Sequence, residues 1–252
     1  MDVRVNAVCE GSGPDLVLIH SLGADLRLWD EVAAALATRF RVLRYDVRGH
    51  GKTTSPYGPV TIDLLRDDLR RLLDDREIER ARIVGLSMGG MIAQAFAAAN
   101  PERLDALVLA GTASEFDDGI RTAWHERAAA ARRGGMAGLV ETTVERWFPE
   151  AFRRQGGPAL DRVRSMIVSI DPEHYAAAGE ALEHLDLTAR LKNIRVRTLV
   201  AVGELDAAIP PHYSAMLRDR ITGAQLLTWP GVGHCPPLQI PERFAADTLA
   251  FL

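Results

Sequence analysis

The stretch Arg82-Ile83-Val84-Gly85-Leu86-Ser87-Met88-Gly89-Gly90-Met91 decides the fold. An apolar run of strand length enters it, and Met88 opens a run of small residues that reads as a helix. Between them Gly85-Leu86-Ser87-Met88-Gly89 fits G-x-S-x-G, a sharp strand-to-helix turn that exposes a serine. Five residues with three fixed recur by chance, and it is the flanking strand and helix that give the match weight. The glycines have a steric reason: side chains two positions either side of Ser87 would collide with neighbouring backbone.

Outward from this turn, short apolar runs alternate with helical patterns. Residues 16–19, 42–43, 82–86, 106–109, 198–202 and 224–229 read as strands, and their continuous apolar character suits a parallel sheet covered on both faces. Thr61 is the expected N-cap of a helix with Leu65, Leu69 and Leu72 on one face. The helix over 88–99 should stop at Asn100-Pro101, where proline cannot continue it. The fold class is therefore α/β, with a mostly parallel central sheet and right-handed crossovers placing helices on both faces. Between 113 and 186 the alternation lapses. Leu139, Val140, Val144, Trp147 and Phe148 recur at helical spacing, as do Val163, Met166, Ile167 and Ile170. Residues 1–112 and 187–252 thus form the expected core, and 113–186 a helical cap insertion of three or four helices.

A serine hydroxyl is a weak nucleophile without a base. In folds built on this turn the acid and then the histidine follow the serine along the chain. Asp206 follows the strand 198–202, and His234 follows the last strand, so both lie in loops at strand carboxyl ends. Ser87, Asp206 and His234 are the candidate nucleophile, orienting acid and general base. Glu204 is the competing acid, but it sits closer to the strand end. Of the other histidines, His125, His174 and His184 fall in the insertion, and His212 has no strand directly before it. His20-Ser21-Leu22-Gly23 follows the strand 16–19, where such folds supply an oxyanion donor. Leu22 N–H and Met88 N–H are the two candidate donors, and His20 braces the loop. Asp46-Val47-Arg48-Gly49-His50-Gly51 lacks phosphate-loop spacing and reads as a hydrogen-bonded turn. Cys235 adjoins His234 and reads as packing.

Composition narrows the classes. The 252 residues are 47% hydrophobic and 25% charged, with net charge −4, so no basic footprint for nucleic acid is present. Cys9 and Cys235 form no C-x-x-C pair. No metal-ligand spacing and no dinucleotide fingerprint occur, so no metal and no cofactor are expected. Met1-Asp2-Val3-Arg4 does not open a secretion signal, and no apolar run approaches a bilayer span. The expectation is a cytoplasmic protein acting on a small molecule, with no nucleic acid and no membrane partner; oligomeric state is not readable.

The set His20-Ser21-Leu22-Gly23, Asp46-Val47-Arg48-Gly49-His50-Gly51 and Gly85-Leu86-Ser87-Met88-Gly89-Gly90-Met91 resembles the α/β-hydrolase fold and, within it, the 3-oxoadipate enol-lactonases of aromatic-compound catabolism. The likeness continues through Asn100-Pro101-Glu102-Arg103-Leu104-Asp105. In the cap it covers Gly134-Gly135-Met136-Ala137-Gly138-Leu139-Val140 and Glu145-Arg146-Trp147-Phe148. The core motifs define only the superfamily; the cap stretches are more selective. Pro236-Pro237 after the base departs from the family and bears on pocket shape, and the short N-terminus bears on the first strand. The resemblance implies a serine hydrolase that opens a lactone through an acyl-enzyme in the β-ketoadipate pathway. The lactone carries a carboxylate, for which Arg133 is the expected cation, with Trp124 as an apolar wall. Competing readings are a carboxylesterase, another lactonase or a carbon–carbon bond hydrolase; a ligand receptor on the same fold is a different class.

Overall fold

The computed structural model describes residues 3–252, so the reading at Met1 and Asp2 lies outside the described residues. Seven strands form one sheet: β1 (Ala7–Glu10), β2 (Asp15–Ile19), β3 (Arg41–Tyr45), β4 (Ala81–Leu86), β5 (Leu104–Ala110), β6 (Thr198–Gly203) and β7 (Gln225–Trp229). Their order is β1-β3-β2-β4-β5-β6-β7, and only β1 runs antiparallel to its neighbour. The six runs expected from sequence are the six parallel strands. β1 was not expected. It is an edge strand with half its residues exposed, so it carries no continuous apolar signal. Before it, the described residues add one isolated bridge, Arg4 to Thr54.

Helices cover both faces. α1 (Asp30–Leu36) packs beside the last helix, and α2 (Ile62–Asp75) begins at Thr61, whose side chain accepts from Leu64 N–H at 3.0 Å. Leu65, Leu69 and Leu72 of α2 are buried, as their spacing requires. α3 (Met88–Ala99) stops at Asn100, before Pro101. Its small residues allow close contact with the sheet: a Cβ on Gly89 would lie 2.1 Å from the Ile19 carbonyl oxygen.

Between β5 and β6 lie α4 (Asp118–Gly134), α5 (Val140–Trp147), α6 (Glu150–Gln155), α7 (Pro158–Val168) and α8 (Pro172–Glu183). That is five helices where three or four were expected. The short α6 buries none of its residues and so lacks the apolar period that would announce it. A bridge between Glu115 and Asp186 and a hydrogen bond from Leu187 N–H to Ser114 O tie the two ends of this segment. Arg121 reinforces the join by donating to the carbonyls of Phe116, Glu183 and Leu185. The chain then returns through β6, α9 (Pro211–Arg220), β7, α10 (Pro236–Gln239) and α11 (Pro241–Phe251). Among the described residues no helix is long and apolar enough to cross a membrane.

Candidate active site

The loops after β2, β4, β5, β6 and β7 all leave the sheet at its carboxyl edge, and the site is built there. Ser87 occupies the turn between β4 and α3 with φ 56° and ψ −116°, a region that non-glycine residues avoid. Holding it there costs about 1–3 kcal/mol. The surroundings supply the restraint: Ser87 N–H donates to Ala110 O at 2.9 Å, and Thr112 Oγ1 donates to Ser87 O at 2.8 Å. The flanking glycines are sterically required. A Cβ on Gly85 would meet Gly89 O at 2.4 Å, and one on Gly90 would meet the Thr112 side chain at 2.7 Å.

Asp206 and His234 are brought together from separate loops. His234 Nδ1 lies 2.8 Å from Asp206 Oδ2, and both side chains are buried. An ionised carboxylate only accepts, so the proton sits on Nδ1 and leaves Nε2 as the lone-pair nitrogen. The other carboxylate oxygen, Oδ1, accepts from Ala208 N–H at 2.9 Å and Ile209 N–H at 2.8 Å. Glu204 is exposed and accepts from Gly231 N–H instead. Gly111 makes room beneath the pair: a Cβ there would sit 3.1 Å from Asp206 Oδ2 and 3.3 Å from His234 Nδ1. His234 N–H donates to Trp147 O at 2.9 Å, so the histidine loop is also held by α5.

Leu22 lines the same cavity as Ser87 and His234, and Met88 is the first residue of α3. Among the described residues, no hydrogen bond engages Leu22 N–H or Met88 N–H. Two donors are therefore unspent beside Ser87, one of them at the positive end of a helix. His20 has both ring nitrogens occupied: Val47 N–H donates to Nε2 at 2.9 Å, and Nδ1 donates to Ser21 O at 2.8 Å. Its pKa is lowered by burial, in keeping with a neutral brace. Asp46 accepts from Asn6 Nδ2, Leu26 N–H and Lys52 N–H, which makes its loop a structural knot. The Cys235 thiol is fully buried and pushed up by that burial, so it is not a competing nucleophile.

The cavity over Ser87 and His234 is closed by Trp124, Arg127, Thr143, Arg146, Trp147 and Tyr175. About 10 Å³ is open to the centre of a water, close to the least that holds one. A larger cavity of about 510 Å³, bordered by Thr61, His125, Glu183 and Asp186, contains none of the groups above. Chemistry, and not size, identifies the smaller one as the candidate site.

Arg133 does not reach it. Arg133 is exposed in the last turn of α4, nine residues from Trp124, which at about 100° per residue is the opposite helix face. Arg127 and Arg146 occupy the cavity instead. Arg127 donates to Thr143 Oγ1 at 2.7 Å and to Tyr175 OH at 3.1 Å. Arg146 donates to Ala208 O at 3.4 Å and lies 5.3 Å over the Trp124 ring. Neither has a carboxylate partner among the described residues. Burial, and then the neighbouring Arg127 charge, lower the Arg146 pKa. Trp124 does line the cavity, but its buried Nε1–H has no partner, so this wall also offers a donor. The sequence held a signal for Arg127, which is three residues from Trp124 on one helix face.

A buried serine–histidine–aspartate set at the carboxyl edge of a mostly parallel sheet defines a class, and the family comparison agrees with it. The model of the α/β-hydrolase fold matches residues 14–240, and the chain belongs to that family. It is 33% identical over 207 residues to 3-oxoadipate enol-lactonase 2 of Acinetobacter baylyi, covering 81% of this chain and 77% of the relative. Among solved structures, the enol-lactonase from Burkholderia xenovorans superposes with a TM-score of 0.95 at 34% identity, covering 99% of this chain and 96% of that one. A thermophilic esterase from Thermogutta terrifontis, solved with malate bound, follows at a TM-score of 0.92 and 29% identity, covering 98% and 92%.

Proposed function

We propose that this protein is a serine hydrolase that opens an anionic lactone, with the enol-lactone of 3-oxoadipate as substrate and residues 113–186 acting as its cap. The observation that carries the reading is the pairing of Arg127 and Arg146, without carboxylate partners, over the cavity of Ser87 and His234. Ser87 Oγ attacks the lactone carbonyl while His234 Nε2 takes its proton. Leu22 N–H and Met88 N–H receive the developing oxyanion; donors so placed contribute ~3–4 kcal/mol to the transition state. Collapse breaks the ring C–O bond, and His234 returns the proton to the departing enol oxygen. A water deprotonated by His234 then cleaves the acyl-enzyme, and the enol rearranges to the ketone of 3-oxoadipate. Asp206 holds the Nδ1–H tautomer and stabilises the imidazolium throughout. The enol-lactonase relatives, at 33–34% identity, support the choice of lactone.

The test is a panel of lactones and esters, each carboxylate-bearing substrate paired with its methyl ester. A charge-assisted hydrogen bond of about 1.5–3 kcal/mol to the carboxylate corresponds to a loss of roughly 10- to 200-fold in kcat/KM on methylation. Ser87→Ala provides the blank. A wild-type preference for the neutral ester rules out the enol-lactonase reading and leaves a general carboxylesterase.

A further inference from the structure

One helix end touches both halves of the base. Arg146 and Trp147 close α5, and each contacts a different catalytic loop. Arg146 Nη2 donates to Ala208 O, in the loop whose Ala208 and Ile209 N–H groups hold Asp206 Oδ1. The Trp147 carbonyl accepts His234 N–H at 2.9 Å, and its ring centroid lies 6.0 Å from the imidazole. The approach is close: a Cβ on Gly233, next to His234, would meet Trp147 O at 2.5 Å. Arg127, by contrast, is held by the hydroxyls of Thr143 and Tyr175, both on cap helices. Arg146 has five N–H donors and, among the described residues, a single long hydrogen bond, to Ala208 O. It is thus half-buried, with one protein hydrogen bond and no counter-ion among the described residues, an arrangement that a bound anion complements.

We propose that Arg146 is a positioning residue that couples carboxylate binding to the setting of the Asp206–His234 pair. The substrate's carboxylate docks on the guanidinium and seats the end of α5. That seating holds the 206–209 loop through Ala208 O and the His234 backbone through Trp147 O. Binding energy from a remote, non-reacting group is thereby expressed in kcat, not in KM alone. The proposal rests on the anionic-substrate reading above and adds to it a claim about how the anion acts.

The experiment separates the two. The 4-nitrophenyl half-ester of adipic acid and its methyl ester share leaving group and reacting carbonyl. Wild-type preference for the half-ester tests the substrate reading; its division between kcat and KM tests the coupling. Coupling predicts that Arg146→Met loses the preference mainly in kcat, by at least about fivefold, the lower end of site-to-site coupling, with Arg146→Lys intermediate. It also predicts that millimolar propionate raises wild-type kcat on 4-nitrophenyl acetate, whose acyl group carries no carboxylate. Propionamide, or chloride at equal ionic strength, should not do so. This arm needs no variant, so misfolding of Arg146→Met cannot shield the proposal. A half-ester preference lost only in KM overturns the coupling while leaving the substrate reading intact, as does propionate that only inhibits. No half-ester preference at all overturns both.

Discussion

Replacing Asp206 by asparagine separates the role of its charge from that of its shape. The geometry dictates which way the amide must face. Ala208 and Ile209 N–H both point at Oδ1, at 2.9 and 2.8 Å, and both require an acceptor. The amide oxygen therefore takes that position, and the NH₂ group faces His234 Nδ1, where Oδ2 was. Two donors cannot share that contact, so Nδ1 must become the acceptor and the ring proton moves to Nε2. The base is then blocked on the side that has to receive the Ser87 proton. The expected loss in kcat is about 10²–10⁴-fold, equivalent to ~3–5 kcal/mol. Stability should change little, because both backbone donors stay satisfied. Asp206→Ala is the contrast: it strands two buried N–H groups, at about 1–3 kcal/mol each. Steady-state hydrolysis of an aryl ester and urea unfolding measure the two effects. Activity of the Asp206→Asn variant within tenfold of wild type, or a larger loss from Glu204→Gln, would refute the tautomer argument.

Gly89→Ala should destabilise the fold by several kcal/mol, since its Cβ has only 2.1 Å to the Ile19 carbonyl and both partners are backbone; thermal unfolding checks this. Burial lowers the His50 pKa to about 3, below the ordinary value of 6.5. The unfolded chain thus binds more protons at this residue between those values, so the His50 contribution to stability is constant above about pH 6.5 and is lost as pH drops toward 3. Urea unfolding at pH 7, 5 and 4 should show that slope, and His50→Asn should lessen it, leaving the share of His20, whose pKa burial also lowers. Arg133→Ala should leave kcat/KM for the carboxylate substrate within about twofold, as for an exposed side chain free of such contacts. A tenfold loss would return the anion site to the end of α4.

The core was legible because two strong local signals coincide there. Strands buried on both faces, such as β4 and β5, must be apolar at nearly every position, so they stand out from flanking helices. Loops at strand ends inherit their location from the strands, so Ser87, Asp206 and His234 could be placed at one edge before any contact was known. What sequence could not supply was the lock on each: Thr112 on the Ser87 carbonyl, Ala208 and Ile209 on Asp206, Trp147 on His234. All but the Thr112 hydroxyl are backbone groups, which leave little trace in residue identity. The edge strand β1 was missed for the converse reason, since half-exposed residues carry no continuous apolar run.

The helices of 113–186 obey a different rule, and Arg133, exposed at the end of α4, shows it. In a strand loop, being near in sequence to the right strand end is nearly enough. On a helix, a residue's direction turns by about 100° at each step, so composition alone is blind to the face. Arg127 and Arg133 share α4 and six residues of separation, yet one lines the cavity and the other is exposed. The burial of Trp124, Ala128 and Ala131 marks the inward face, and Arg127 lies on it. Arg146 is harder still, because its meaning depends on α5 meeting two core loops, 206–209 and 233–234, that no local pattern relates to it. The candidate catalytic set therefore follows from the order of elements along the chain, whereas the lining of the cavity above it follows from how the helices of 113–186 pack on the core. A chain can keep the first legible while changing the second. That is why a well-defined hydrolase core constrains the reaction more tightly than the substrate, and why the proposed specificity is placed on Arg127 and Arg146 and not on any motif in the core.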